Sequence, residues 1–302
     1  MTPERPDGVG PVAVRHRTVP TEAARLAVVE VGRPELPAWV IAHGVGSSAR
    51  FVVEAFAGPV ARAGRRLVAY DLRGHGASSI AREVGDHHLD VHAQDLARVV
   101  ERCDGEVEVV GGISLGAHAA VRAVADGARG ASVLACLPAW TGRAIPGDGP
   151  HAAIAARLAT DGVAGHLAAI AADAALPDWL RRTLLADQPR HDPASLAAVL
   201  TSLDGGLAPT IEEVASLSVP LAVVGWPDDP GHPLEVAERW AASAARGALV
   251  VASMTAMVTG TDHLGSCAVE AVSGPRRAPA RPGPRGTPVA GRAARPSMRS
   301  PR

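Results

Sequence analysis

The chain has 302 residues, of which 47% are hydrophobic, so it is long enough to bury a sizeable core in one large domain or two ordinary ones. All thirty basic residues are arginine, and eight of them lie in residues 273–302, which contain no acidic residue. The other 22 arginines face 31 acidic residues in residues 1–272, a net charge of −9, and this acidic body argues against binding to nucleic acid.

Runs rich in β-branched residues predict eight strands. The first two or three are closely spaced, as in a hairpin or meander, whereas the later ones alternate with helical stretches, as in a parallel sheet. Nearly continuous apolar runs are expected where both faces of a sheet are covered. The predicted strands are residues 12–19, 25–31, 38–44, 65–71, 106–112, 131–137, 220–226 and 248–253.

The remaining segments differ from this alternation in two places. Residues 141–213 contain no convincing strand but several helical patches divided by prolines, which predicts a helical insertion over one edge of the sheet. Residues 273–302 hold seven prolines and eight arginines without periodicity, so we predict a disordered tail. Between the strands, helical spacing predicts helices at residues 50–63, 89–103, 115–127 and 234–246.

The cysteines and the apolar runs favour a cytoplasmic protein. Cys103, Cys136 and Cys267 are far apart and form neither a disulfide framework nor a zinc motif. The first ten residues lack the apolar core of a signal peptide, and no apolar run approaches the roughly 20 residues of a membrane span. Histidines and acidic residues show no metal-ligating spacing, and we expect neither a metal nor a cofactor.

A G-x-S-x-G motif lies where the fifth predicted strand passes into a helix. Gly112, Ser114 and Gly116 fit a sharp strand-to-helix turn that lifts the serine above the sheet. A serine placed there, at the first turn of a helix, is a candidate nucleophile, since the amide groups and the helix dipole favour developing negative charge.

Four motifs in this order resemble the α/β-hydrolase-fold family over about residues 12–272. They are HGVGSS (43–48), YDLRGHGASS (70–79), GGISLG (111–116) and GWPDDPGHP (225–233). The resemblance implies a central sheet flanked by helices, an α/β class, with a core of residues 1–140 and 214–272. It also implies that the helical insertion at 141–213, between strands six and seven, is a cap.

The resemblance further implies roles for individual residues. Ser114 would be the nucleophile, and the backbone N–H groups of Val45 and Leu115 would form the oxyanion hole. Asp229 would be the acid, with its neighbour Asp228 left as an alternative. Trp140, just after the sixth strand, would line the substrate pocket or belong to the core.

The family carries its histidine after the eighth strand, so the resemblance implies that the base is His263, which alone among the twelve histidines follows that strand and precedes an apolar helical stretch. His232, three residues after Asp229, is interpreted as part of a turn.

These residues predict a cofactor-free serine hydrolase that cleaves an ester, thioester or lactone of a small apolar substrate through an acyl-enzyme. Carbon–carbon bond hydrolysis and cofactor-free perhydrolysis use the same constellation and stay open. The alternative is a protein that is not an enzyme: a non-catalytic member of the same fold that binds a ligand or partner. A small-molecule substrate is the expected partner, and a monomer is the expected state.

Overall fold

The architecture is a single eight-stranded sheet with helices on both faces. It is seen in a computed structural model that describes residues 13–139, 150–204, 208–227, 229 and 231–274. The strands follow the order β1-β2-β4-β3-β5-β6-β7-β8. They are β1 (Val14–Pro20), β2 (Arg25–Val31), β3 (Ala38–Ala42), β4 (Arg66–Tyr70), β5 (Val107–Ile113), β6 (Ser132–Cys136), β7 (Leu221–Gly225) and β8 (Gly247–Val251).

The sheet is antiparallel only at one edge. β1 pairs with β2 and β2 pairs with β4 in antiparallel fashion, and every later pairing is parallel. The eight predicted strands and the mostly parallel α/β class are therefore confirmed.

Nine α-helices lie in the described part of the chain. They are α1 (Ala49–Arg62), α2 (Leu89–Glu101), α3 (Leu115–Ala125), α4 (Pro150–Ala172), α5 (Asp178–Asp187), α6 (Pro193–Asp204), α7 (Ile211–Ser216), α8 (Leu234–Ser243) and α9 (Asp262–Ser273). None of these helices has both the length and the apolar character that a membrane span requires.

Two apolar cores form because successive side chains of a strand point to opposite faces. In β3, Val40 belongs to the core that includes side chains of α2, α3 and α8, whereas Trp39 and Ile41 belong to the core that includes side chains of α1 and α9. All five residues of β3 are buried, as expected for a strand covered on both faces.

The described residues between β6 and β7 form helices and connecting turns and contain no strand. Helix α4 is kinked at Gly162 (φ 65°, ψ −173°) and packs against α6. Helix α7 contacts α3 and α8, so the end of the segment that was expected to form a cap lies on the layer beside the sheet. Residues 140–149 and 275–302, which include Trp140 and most of the predicted tail, lie outside the described residues.

Candidate active site

Ser114 sits on a strained turn between β5 and α3. Its φ of 52° and ψ of −115° place a non-glycine residue in a region that costs about 1–3 kcal/mol. β5 ends at Ile113 and α3 begins at Leu115, so the strand passes into the helix at this one residue. The serine side chain is thereby presented at the carboxyl edge of the sheet.

The glycines of the motif are required by close backbone approach. A Cβ on Gly112 would lie 2.2 Å from the carbonyl carbon of Gly116, and a Cβ on Gly116 would lie 2.4 Å from the carbonyl oxygen of Ala42. Both distances are far inside van der Waals contact with backbone atoms. Glycine at these two positions lets α3 start directly against the end of β3.

The structure brings Ser114, His232 and Asp229 together. Nε2 of His232 lies 3.0 Å from Oγ of Ser114, and Nδ1 of His232 lies 2.7 Å from Oδ2 of Asp229. The acid and the imidazole lie on one turn after β7, in which the N–H of His232 donates to the carbonyl oxygen of Asp229 at 3.1 Å.

Asp229 is held as a carboxylate by several donors. The indole N–H of Trp226 donates to Oδ2 and the backbone N–H of Gly231 donates to Oδ1, both at 2.9 Å. Burial acts to raise the pKa of Asp229, but the hydrogen bonds from His232, Trp226 and Gly231 and the attraction of His232 outweigh it and lower the pKa to about 2. Because a carboxylate only accepts, Nδ1 of His232 carries the proton and the Nε2 lone pair faces Ser114. Asp228, the alternative acid, lies outside the described residues.

His263 is not at this site, which corrects the predicted base. It lies in the first turn of α9, where its Nε2 accepts the backbone N–H of Ser253 at 3.3 Å and lies 3.7 Å from Sγ of Cys267. These contacts orient the imidazole toward the loop after β8 and toward its own helix. The signal for His232 was present in the Asp-Pro-Gly-His sequence, since a turn returns a residue to the side chain three positions earlier.

The predicted oxyanion-hole residues line the same cavity as Ser114. Leu115 is the first residue of α3, so its backbone N–H has no acceptor within the helix. Val45 follows Gly44, where an added Cβ would lie 3.3 Å from Cβ of Ser114, so this loop passes directly beside the turn at Ser114. Gly44, Val45 and Leu115 all border the cavity.

Three imidazoles in edge-to-face contact hold the loop that carries Val45. Nε2 of His43 accepts the N–H of Leu72 at 2.9 Å, and Nε2 of His75 accepts the N–H of Gly46 at 3.1 Å. His191, from the helical insertion, accepts the N–H of Gly76 at 2.9 Å. Ring centroids are 5.0 Å apart for His43 and His75 and 4.9 Å apart for His75 and His191.

These imidazoles are neutral cross-links. Burial lowers the pKa of His43, His75 and His191. One nitrogen of each ring accepts a backbone N–H, and the other lies within hydrogen-bond distance of a backbone carbonyl oxygen. Both nitrogens of each ring are therefore paired with backbone atoms. The sequence alone offered no sign that imidazoles so far apart in the chain would contact one another.

The cavity in front of Ser114 has a volume of about 460 Å³ and a mostly apolar wall. Trp179 of α5 forms its aromatic part, with its ring 6.5 Å from Phe51 in a stacked arrangement and 5.8 Å from Trp226 edge to face. Leu180 and Leu184 of the same helix also line it. No cluster of three or more metal-ligating side chains occurs among the described residues.

A family model matches most of this chain. The model of the alpha/beta hydrolase family matches residues 39–294. A search of curated proteins found no match.

Solved structures share the fold at low sequence identity. A carboxylesterase from the thaumarchaeon Nitrososphaera gargenis has a TM-score of 0.66 at 13% identity, covering 80% of this chain and 90% of that one. The enol-lactonase from Burkholderia xenovorans has a TM-score of 0.65 at 17% identity, with 79% and 91% covered. The thioesterase domain from the curacin biosynthetic pathway has a TM-score of 0.62 at 18% identity, with 86% and 98% covered.

Proposed function

This chain belongs to the alpha/beta hydrolase family, and from that premise we propose that it is a serine hydrolase in which Ser114 is the nucleophile, His232 the base and Asp229 the acid. The observation that carries the proposal is the imidazole of His232, which bridges Oγ of Ser114 and the carboxylate of Asp229 at 3.0 and 2.7 Å. A serine hydroxyl is weakly nucleophilic near neutral pH, and a hydrogen-bonded imidazole is what activates it.

The reaction proceeds by acyl transfer. As Oγ of Ser114 attacks the substrate carbonyl, its proton passes to Nε2 of His232, and Asp229 stabilises the imidazolium. The oxyanion of the tetrahedral intermediate accepts hydrogen bonds from the backbone N–H groups of Val45 and Leu115. His232 then protonates the leaving group, and a water activated by the same imidazole releases the acyl group from Ser114.

The substrate class follows from the cavity wall. The apolar side chains of α5 suit the acyl or alcohol portion of a modest, neutral organic molecule. We propose a carboxylic ester, thioester or lactone as substrate. The alternative of a non-catalytic binding protein rests on a missing or displaced base, and the contact of His232 with Ser114 opposes it although His263 makes no such contact.

The test uses a fluorophosphonate probe, which needs an activated serine and no knowledge of the substrate. We expect peptide mapping to find the adduct on Ser114 in the purified protein and no adduct there in Ser114→Ala. The His232→Ala variant should lose labelling rate and p-nitrophenyl acetate hydrolysis by about 10²- to 10⁴-fold. His263→Ala is the matched control, and we expect it to retain both.

Opposite results have distinct meanings. Loss of labelling in His263→Ala with retention in His232→Ala would restore His263 as the base. A folded wild-type protein that takes no label at Ser114 would favour the non-catalytic alternative.

A further inference from the structure

A second His–Asp pair lines the cavity that Ser114 faces. His151 lies at the start of α4, and its Nδ1 is 2.8 Å from Oδ1 of Asp204 at the end of α6. The other carboxylate oxygen of Asp204 accepts the backbone N–H of Ala152 at 3.0 Å. The His151 side chain is 29% exposed and that of Asp204 is 11% exposed, so the carboxylate is shielded and the imidazole reaches the cavity.

The imidazole of His151 is fixed at one nitrogen and open at the other. Because the Asp204 carboxylate only accepts, the proton lies on Nδ1, and Nε2 of the neutral ring offers a lone pair. Among the described residues, Nε2 of His151 has no hydrogen-bond partner. The pair therefore presents an oriented acceptor to whatever occupies the cavity.

Other polar side chains of the cavity wall are engaged elsewhere. Nε2 of His118 accepts the backbone N–H of Ala139 at 3.1 Å, and the hydroxyl of Thr183 donates to the carbonyl oxygen of Trp179 at 2.9 Å. His232 serves Ser114 and Asp229. His151 thus stands out as a recognition group separate from the reacting one.

The charges around the cavity favour a neutral ligand group. No arginine borders the cavity in the described part of the chain, and the sequence contains no lysine. Asp229 lies on the wall and Asp204 lies behind His151, so a substrate carboxylate or phosphate would meet carboxylates without a counter-ion. A hydroxyl, which donates to a lone pair without bringing charge, fits this acceptor.

We propose that His151, oriented by Asp204, is a specificity-determining residue that binds a hydroxyl group on the acyl part of a neutral ester, thioester or lactone. The hydroxyl donates to Nε2 of His151, and the methylene groups between it and the scissile carbonyl pack on apolar residues such as Ile154 and Leu203. This inference rests on the proposed function, since it concerns the substrate of the same Ser114.

The experiment compares p-nitrophenyl esters of straight acyl chains of increasing length, each with and without a terminal hydroxyl. At the best-fitting length, kcat/KM of the wild-type protein should be about tenfold higher for the hydroxylated ester, the effect of one well-placed hydrogen bond. In His151→Leu this ratio should fall below one, because the hydroxyl is then buried without a partner. His16→Leu, on the exposed face of β1, is the matched control and should keep the wild-type ratio.

Two further variants separate recognition from packing. His151→Gln keeps a hydrogen-bonding group and should retain part of the preference, and it replaces His151→Leu if that variant does not fold. Asp204→Asn removes the carboxylate that orients the ring and should lower the ratio of the two kcat/KM values. Its kcat/KM for the plain ester should change less than that for the hydroxylated ester.

The outcomes distinguish the two proposals. If the wild-type protein hydrolyses plain esters without preferring hydroxylated ones at any length, or if the preference survives in His151→Leu, the role of His151 is overturned while the serine hydrolase stands. If neither ester is hydrolysed and Ser114 takes no fluorophosphonate, the proposed function itself fails.

Discussion

At the scale of single residues, the site depends on how one carboxylate is held. Asp229 receives hydrogen bonds from His232, Trp226 and Gly231, and its lowered pKa of about 2 keeps it charged over the working range of an enzyme. The Asp229 carboxylate therefore remains an acceptor for Nδ1 of His232 throughout that range.

Replacing Asp229 tests this dependence. Asp229→Asn keeps the side-chain volume but can present its amide N–H₂ to Nδ1 of His232, which favours the wrong tautomer. We expect kcat to fall by about 10³- to 10⁴-fold with little change in the unfolding midpoint. Asp262→Asn, at an exposed carboxylate of α9, serves as the control in the same esterase assay. Wild-type activity in Asp229→Asn would exclude Asp229 as the acid.

At the scale of elements, the junction of β5 and α3 has no space for side chains. Gly116 lies against the backbone of Ala42 at the end of β3, so any Cβ must displace the helix or the strand. Gly58 of α1 is a useful contrast, since a Cβ there would meet, apart from its chain neighbours, only the flexible end of Arg62 at 3.3 Å.

The two glycines should differ in their response to alanine. Gly116→Ala is expected to lower the free energy of unfolding by about 1–3 kcal/mol and to reduce the rate of Ser114 labelling, because the turn at Ser114 moves. Gly58→Ala should change stability by less than about 1 kcal/mol, because the helix preference of alanine is opposed by the ring of Pro59, which disfavours a Cβ on the preceding residue. Urea unfolding of both variants measures the difference, and equal effects would contradict the packing argument.

A buried ion pair joins the loop after β4 to α2. The guanidinium of Arg73 donates to both carboxylate oxygens of Asp95, at 2.7 and 2.8 Å, and both side chains are buried. Burial acts to lower the pKa of Arg73, but the bonds to Asp95 outweigh it and raise the pKa.

Breaking this pair should be costly. Asp95→Ala leaves a buried guanidinium without its partner, and we expect a loss of about 3–5 kcal/mol in the free energy of unfolding. Glu101→Ala removes the partner of Arg98 from an exposed pair and should produce no measurable change. A small effect for Asp95→Ala would mean that water replaces the carboxylate.

At the scale of the whole molecule, buried imidazoles make stability depend on pH. Burial lowers the pKa of His118 to about 3 and lowers those of His43, His75 and His92, all from 6.5. Because the unfolded chain binds protons at these sites at a higher pH than the folded chain does, stability is full above about pH 6.5 and is lost as the pH falls below it.

His92 offers a direct test of this pH dependence. Both of its ring nitrogens are buried without a hydrogen-bond partner among the described residues. His92→Leu should therefore be as stable as the wild-type protein or more stable, and its unfolding free energy should fall less steeply between pH 6.5 and about pH 4. Urea unfolding across that range gives both slopes. An unchanged slope would show that His92 does not contribute to the acid sensitivity.

The sequence by itself determined the strands of the sheet and the strand-to-helix turn at Ser114. Strand and helix periodicity is local, and the predicted strands lie within a few residues of those observed. The turn was also predicted from Gly112, Ser114 and Gly116, because a strained turn permits few residue types.

Only the tertiary structure decided which histidine meets Ser114. His232 and Ser114 are 118 positions apart, and their contact depends on how β5 and β7 flank β6 in the sheet. The prediction of His263 relied on chain order, whereas the structure turns that ring toward Ser253 and Cys267. Periodicity and motifs carry local information, but an imidazole is placed by the packing of segments distant in sequence.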